Sequence, residues 1–191
     1  MDLNIIVIDN FLPDPDKIRE FALKQNFSGL GTHPGVRARW KNETYNQFLD
    51  EQLTHVFGTN LIHKMASKQF QVVTGIEGPD DNWIHHDLSH WAGVLYLTPD
   101  SPIEYGTSLY RHKNTKIMYG RDTTNENHLN PDEWEEMARI GNIYNRLILY
   151  NGEIYHRSTT TGFGNKLDNS RLTQVFFFEL ENKDEDTSNR S

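Results

Sequence analysis

From residue 69 onward the chain is a succession of short β-favouring runs separated by turn signals. This texture limits the possible folds more than any other feature. Phe70, Val72 and Val73 form one run, Trp83–Asp87 a second, Trp91–Thr98 a third and the most apolar, and Ser108–His112 a fourth. Ile143–Tyr150 is a strong run closed by Asn151-Gly152, a dipeptide suited to a tight turn. Ile154–Arg157 and Leu172–Leu180 complete the set. The first third reads differently. Leu3–Phe11 is strand-like, and Leu12-Pro13-Asp14-Pro15 breaks it and opens a helix spaced through Ile18, Phe21, Ala22 and Gln25. Residues 28–42, with Gly29, Gly31, Pro34 and Gly35, read as a loop. Tyr45–Phe57 has a helical period through Phe48, Leu49, Leu53, Val56 and Phe57, with Gly58 as its C-cap. Residues 113–130 form a polar excursion, Pro131–Ile140 reads as a helix with acidic residues in its first turn, and residues 182–191 are a polar tail. Helices followed by about eight short strands predict a mainly β, α+β architecture with a closed or double-layer β core.

Composition removes several classes. A chain of 191 residues is expected to be one domain, 1–181, with a strand and helices in 1–66 and the β core in 67–181, ahead of the tail 182–191. It is long enough to bury a core without covalent or metal staples. It has no cysteine, which excludes disulfide scaffolds, cysteine-ligated zinc and iron–sulfur sites, and cysteine nucleophiles. The net charge of −8 argues against a nucleic-acid partner, whose backbone needs clustered Lys and Arg. No apolar run approaches the length of a membrane span. The start, Met1-Asp2-Leu3-Asn4, lacks the basic and apolar regions of a signal peptide, so a cytoplasmic location in a bacterium or a virus-infected cell is expected.

The chain has nine histidines, and three fall in Trp83-Ile84-His85-His86-Asp87-Leu88-Ser89-His90. Side chains alternate faces along a strand, so His85 and Asp87 share a face and His86 points the other way. A histidine and a carboxylate so placed hold two adjacent corners of a metal, and a second, distant histidine completes the 2-His-1-carboxylate set typical of non-haem iron(II). His85-x-Asp87 is the only His-x-Asp in the chain; His86 and His90 do not give that spacing. The distant candidate is His156, which follows the Asn151-Gly152 turn. Read alone, the first pair also fits a polar strand end with solvated imidazoles, and His156 fits a hairpin histidine bonded to a backbone carbonyl. Arg171 heads the apolar strand Leu172–Phe178 and shares a face with Thr173. A guanidinium grips a carboxylate bidentately, and a neighbouring hydroxyl adds a hydrogen bond. Arg121-x-Thr123 and Arg157-x-Thr159 repeat the pattern, but neither heads an apolar strand beyond the distant histidine.

The order His85-x-Asp87, Ala92-Gly93-Val94-Leu95-Tyr96-Leu97-Thr98, Gly106-Thr107-Ser108-Leu109, His156 and Arg171 resembles the 2-oxoglutarate- and Fe(II)-dependent oxygenases, in particular their prolyl-hydroxylase-like branch. The resemblance runs from about Phe70 to Glu179. Ile8-Asp9-Asn10-Phe11-Leu12 ahead of a helix also looks like the usual lead-in to these domains. It implies a double-stranded β-helix, a jelly-roll or cupin-like barrel, with the N-terminal helices packed outside. It implies an oxygenase that hydroxylates a small molecule, amino acid or peptidyl residue with dioxygen, releasing succinate and CO2. Fe(II) would be held by His85, Asp87 and His156. The 5-carboxylate of 2-oxoglutarate would be held by Arg171, with Tyr96 and Thr173 beside it. Thr98 stands where the family usually has Asn, and Tyr105-Gly106 where it often has a double Gly. Two other readings stay open: a cupin-like metalloprotein that does not use 2-oxoglutarate, with Arg171 structural, and a non-catalytic jelly-roll binding or structural protein.

Three further features are ambiguous in sequence. Arg37 and Arg39, beside Trp40, fit either an approach to substrate over the barrel mouth or a packed turn with exposed arginines. The excursion, with His112, Lys113, Lys116, Arg121 and His128, fits either a solvated loop or a substrate-facing lid. Phe176-Phe177-Phe178 fits a strand buried on both faces.

Overall fold

The structure, a computed structural model, describes residues 5–30, 34–76, 83–122 and 130–181. Ten strands and two α-helices lie among them, in the order β1 (Ile5–Ile8), α1 (Pro15–Leu23), β2 (Gly29–Leu30), β3 (Val36–Arg39), α2 (Glu43–Phe57), β4 (Leu61–Val73), β5 (Trp91–Tyr96), β6 (Thr107–His112), β7 (Trp134–Ile140), β8 (Leu147–Asn151), β9 (His156–Ser158) and β10 (Arg171–Leu180). A seven-stranded sheet runs β1-β8-β5-β10-β4-β3-β2, and a three-stranded sheet runs β7-β6-β9. Every pairing is antiparallel.

Both helices form where the sequence places them. Asp14 caps α1 by accepting the Lys17 amide, and Asn42 caps α2 by accepting the Tyr45 amide. Gly58 ends α2 at φ 65°, its N–H bonded to the Thr54 carbonyl at 2.7 Å. The helices cover one face of the large sheet. Leu49, Leu53, Phe70, Leu95, Leu147, Phe176 and Phe178 are fully buried there. Each such side chain contributes about 1.5–3 kcal/mol by burial. The other face of the large sheet meets the small sheet. Ala92, Val94 and Tyr96 of β5 and Ile148 and Tyr150 of β8 pack there with Leu109 of β6 and Ile140 of β7. Strand β10 is sandwiched as its aromatic run predicts, with Phe176 and Phe178 on the helix side and Phe177 packed on the inter-sheet side.

Three segments depart from the sequence reading. Pro131–Ile140 is not a helix. Pro131–Glu133 is a single 3-10 turn capped by Asn130, so the proline and acidic residues do start a turn, but Trp134 onward is strand. Pairing with β6 overrides the local preference: Arg111 lies opposite Glu135 and donates to it at 2.6 Å, and Ser108 donates to Glu136 at 2.9 Å. Trp83–Asp87 is not a ladder strand but a single bridge, His85 to His156. Residues 28–42 are not all loop, since they hold the β2–β3 hairpin laid on β4. Gly35 turns into β3 at φ 94°, and a Cβ there would collide with the Val72 carbonyl. The expectations for Leu3, Thr123, His128 and the tail 182–191 fall outside the described residues. No helix among the described residues is long and apolar enough to cross a membrane.

Candidate active site

The Asn151-Gly152 turn brings distant parts of the chain together. The Gly152 N–H bonds the His90 carbonyl at 2.9 Å, and its carbonyl accepts the Asp87 amide at 2.7 Å. A Cβ at 152 would collide with the Ser89 carbonyl, so the close approach requires glycine. Asn151 rigidifies the turn by accepting the Glu153 amide on its side chain at 2.9 Å. Three residues on, His85 and His156 exchange two backbone hydrogen bonds, at 3.0 and 2.7 Å. These bonds fix His85 and Asp87 against His156 in the space between the sheets.

One ligand atom each of His85, Asp87 and His156 lies within 4.8 Å of the other two. The His156 Nε2 is 3.3 Å from the Asp87 Oδ2, and the imidazoles of His85 and His156 are 4.5 Å apart. His156 Nδ1 donates to the Ile154 carbonyl at 2.6 Å, and His85 Nδ1 to the Trp83 carbonyl at 3.1 Å. A carbonyl only accepts, so each ring carries a proton on Nδ1, which leaves Nε2 as the atom that can ligate a metal. Asp87 Oδ2 is buried with no hydrogen-bond partner among the described residues. Two presented imidazole nitrogens and an unsatisfied carboxylate oxygen, held this close, fit a divalent cation of the iron type. His86 points away, as alternation predicts: its ring packs on Gly120 and, at 5.5 Å, on Tyr155. His90 is exposed and does not line the cavity.

The three residues line a cavity of about 690 Å³ between the sheets, and Arg171 lines the same cavity. Arg171 is 2% exposed. Its Nε donates to the Tyr105 carbonyl at 3.0 Å, one amino group to the Gly106 carbonyl at 3.4 Å, and its guanidinium lies 5.6 Å from the centre of the Tyr96 ring. A Cβ on Gly106 would collide with the Ile140 carbonyl, so glycine allows this packing. Among the described residues no carboxylate pairs with Arg171, and burial lowers its pKa.

Tyr96 and Thr173 lie opposite each other on β5 and β10. The Tyr96 hydroxyl shares a 2.8 Å hydrogen bond with Thr107, and burial raises its pKa, opposed by Arg171. Thr173 is fully buried, on the face of β10 that carries Arg171, and its Oγ1 has no hydrogen-bond partner among the described residues. Thr98 positions β10 instead of facing the cavity. Its hydroxyl donates to the Ser170 carbonyl at 2.7 Å and accepts the Leu172 amide at 2.9 Å, one residue either side of Arg171.

Sequence reading misses several cavity residues. Tyr150 lines the cavity and stacks edge-on against His156 at 4.7 Å. Burial, then the nearby Asp87 carboxylate, holds its phenol well above the ordinary tyrosine pKa. Thr107, Gln69 and Gln71 also line it. Strand alternation from Ile148 would have placed Tyr150 inward. Nothing local singles out the glutamines, whose face is set by pairing with β10. The described part of the excursion supplies no cavity residue. Lys113 donates to the Asp132 carbonyl at 2.6 Å, Lys116 pairs with Glu135 at 3.7 Å, and Arg121 pairs with Glu153 at 3.1 Å.

Comparison with known sequences decides the family. Residues 2–138 match the model of DUF6445, a family of unknown function. The chain belongs to the DUF6445 family. The match ends before His156 and Arg171, and no curated protein matches the sequence. Solved structures extend the comparison of this DUF6445 chain to between 92% and 94% of its length. The α-ketoglutarate-dependent non-haem epimerase SnoN of nogalamycin biosynthesis is 12% identical, with a TM-score of 0.58 over 92% of this chain and 78% of that one. HygX from Streptomyces hygroscopicus, crystallised with nickel and 2-oxoglutarate, is 13% identical, with a TM-score of 0.56 over 92% and 82%. A prolyl-4-hydroxylase from Pseudomonas putida is 13% identical, with a TM-score of 0.51 over 94% of each chain. At such identities the likeness carries the fold: this DUF6445 chain has the jelly-roll of the 2-oxoglutarate oxygenases.

Proposed function

We propose that this protein is an Fe(II)- and 2-oxoglutarate-dependent oxygenase that hydroxylates a small molecule, amino acid or peptidyl residue. The observation that carries the reading is the pairing of two unmet demands in one cavity. A His–Asp–His cluster leaves a buried carboxylate oxygen unsatisfied, and the buried cation Arg171 has no carboxylate partner among the described residues. Burying an isolated charge is costly, and a metal on one side and an anionic cosubstrate on the other would remove both costs. His85, Asp87 and His156 would hold the iron, and Arg171 the 5-carboxylate of 2-oxoglutarate, with Tyr96 and Thr173 beside it. When bound, the iron and cosubstrate supply oxidation of a substrate C–H bond by dioxygen, coupled to decarboxylation of 2-oxoglutarate to succinate and CO2.

The chain's own contribution is positioning and exclusion of water. The two Nδ1–H bonds to backbone carbonyls orient the imidazoles before any metal arrives. The carbonyls of Tyr105 and Gly106 aim the Arg171 fork into the cavity. The Thr173 hydroxyl has a hydrogen bond still to give to a carboxylate. Val94, Val175 and Phe177 supply apolar wall around these groups. Anaerobic dialysis should load a stoichiometric amount of Fe(II), and on exposure to air the loaded protein should convert 2-oxoglutarate to succinate and CO2. Protein that takes up no metal, or that turns over without any need for 2-oxoglutarate, would contradict the proposal.

A further inference from the structure

The cavity has a second wall that this reading does not use. Strand β3 adds to β4 with Arg37 opposite Gln71 and Arg39 opposite Gln69. Strand β4 in turn places Gln71 opposite Thr173 and Gln69 opposite Val175 of β10. Paired residues share a face, so Tyr96, Thr173, Gln71 and Arg37 form one row across the inner face of four strands, and Val94, Val175, Gln69 and Arg39 the next. Ala38, between the arginines, turns the other way and is fully buried against the helix-side core. Both arginines line the 690 Å³ cavity, as does Arg157 from β9.

The charges are one-sided. Arg37, Arg39, Arg157 and Arg171 line the cavity, and Asp87 is its only lining carboxylate among the described residues. The chain as a whole carries −8. If Asp87 serves a metal and Arg171 a cosubstrate carboxylate, Arg37, whose guanidinium also donates to the Gly35 carbonyl at 3.3 Å, and Arg39 line the remaining volume, while the Arg157 guanidinium is engaged by Tyr110, to whose hydroxyl it donates at 3.2 Å. That volume is in the range of sites for drug-sized ligands. The β3 wall lies two strand spacings, about 10 Å, from β10. A guanidinium fork matches a carboxylate or phosphate geometrically and is poorly suited to a cationic or neutral group.

We infer that the primary substrate is an elongated small molecule carrying an anionic oxygen group, a carboxylate or a phosphate ester, seated on Arg37 and Arg39. Gln69 and Gln71 supply flanking amides, and the opposite end reaches toward the His85–Asp87–His156 cluster. The word substrate rests on the oxygenase reading; the anion site itself does not.

The test uses metal-free protein without 2-oxoglutarate, and calorimetric titration at low salt with phenyl phosphate, benzoate and benzamidine as probes. At least one of the two anions should bind, and benzamidine should not. Arg37→Gln/Arg39→Gln should weaken the bound anion by at least about tenfold, the scale of a lost charge-assisted hydrogen bond. Arg171→Ala should change it by less than about threefold. Arg39 is exposed, so Arg39→Gln keeps the test available if the double variant fails to fold, and alone it should weaken binding about threefold or more. Preference for phenyl phosphate assigns a phosphate ester, and preference for benzoate a carboxylate. Failure of both anions to bind, unchanged binding in Arg39→Gln, or benzamidine binding as well as the anions would overturn the inference. Fe(II) uptake by the same preparations separates the two readings. Anion binding without Fe(II) uptake sinks the oxygenase reading alone, and Fe(II) uptake without anion binding sinks this inference alone.

Discussion

Along β10, Leu172, Gln174, Phe176 and Phe178 turn toward the helices, while Arg171, Thr173, Val175 and Phe177 turn toward the cavity. On the helix side the aromatic rings are fully buried, and the one polar side chain, Gln174, accepts a 2.6 Å hydrogen bond from Tyr45 of α2 and leaves only its Nε2 without a partner among the described residues. On the cavity side Thr173 has no hydrogen-bond partner and Arg171 no carboxylate partner among the described residues. One ten-residue strand thus carries two kinds of burial. The first holds the fold together. The second leaves polar groups unsatisfied in a position that a ligand would satisfy, at a cost to the stability of the empty protein.

Changes on the two faces should therefore separate stability from binding. The largest effect is expected from Phe176→Ala on the helix side. It should cost about 3–5 kcal/mol in urea unfolding, with the Fe(II) affinity of the folded protein unchanged. A loss under about 1 kcal/mol would show that this face is not the packed core. Asp87→Ala should reverse the pattern. Fe(II) affinity should fall by about a hundredfold or more, near 2.7 kcal/mol, while stability without metal holds or rises, because an unsatisfied buried carboxylate has been removed. His86→Ala should leave Fe(II) affinity within about twofold; equal losses in the two variants would mean that the ligand set is wrong. The smallest effect is expected from Thr173→Val, which should stabilise the ligand-free protein by up to about 1 kcal/mol and weaken 2-oxoglutarate. A clear loss of stability would mean that the hydroxyl is already well bonded.

The features legible in sequence are those fixed by local rules. The two faces of β10 follow from alternation along Arg171–Phe178, and both helices follow from their caps and apolar period. The spacing of His85 and Asp87, with His86 opposed, survives even though Trp83–Asp87 forms no ladder. Asp87 spends its amide on the Gly152 carbonyl, and His85 forms a single bridge with His156 at the start of β9, so the segment keeps an extended alternation without a ladder. What is lost depends on pairing partners. Glu135 and Glu136 read as part of a helix over Pro131–Ile140 until Arg111 and Ser108 of β6 lie opposite or beside them. Arg37 and Arg39 read equally well as exposed turn residues, because the glycines and proline around them mask a four-residue strand whose inner face is set only by its register on β4. Gln69 and Gln71 carry no signal at all until that register is known.

The central claim is that Arg171 is buried in wait for a carboxylate. The direct test is titration of 2-oxoglutarate into the anaerobic Fe(II) protein, following the metal-to-ligand charge-transfer absorbance. The parent should develop the band and saturate. Arg171→Ala should still bind Fe(II) but need at least about tenfold more 2-oxoglutarate, the loss expected for a charge-assisted pair. Arg171→Lys should fall between, keeping the charge without the fork. If Arg171→Ala develops the band at the same concentrations as the parent, Arg171 is a structural residue and the account of the cavity is wrong.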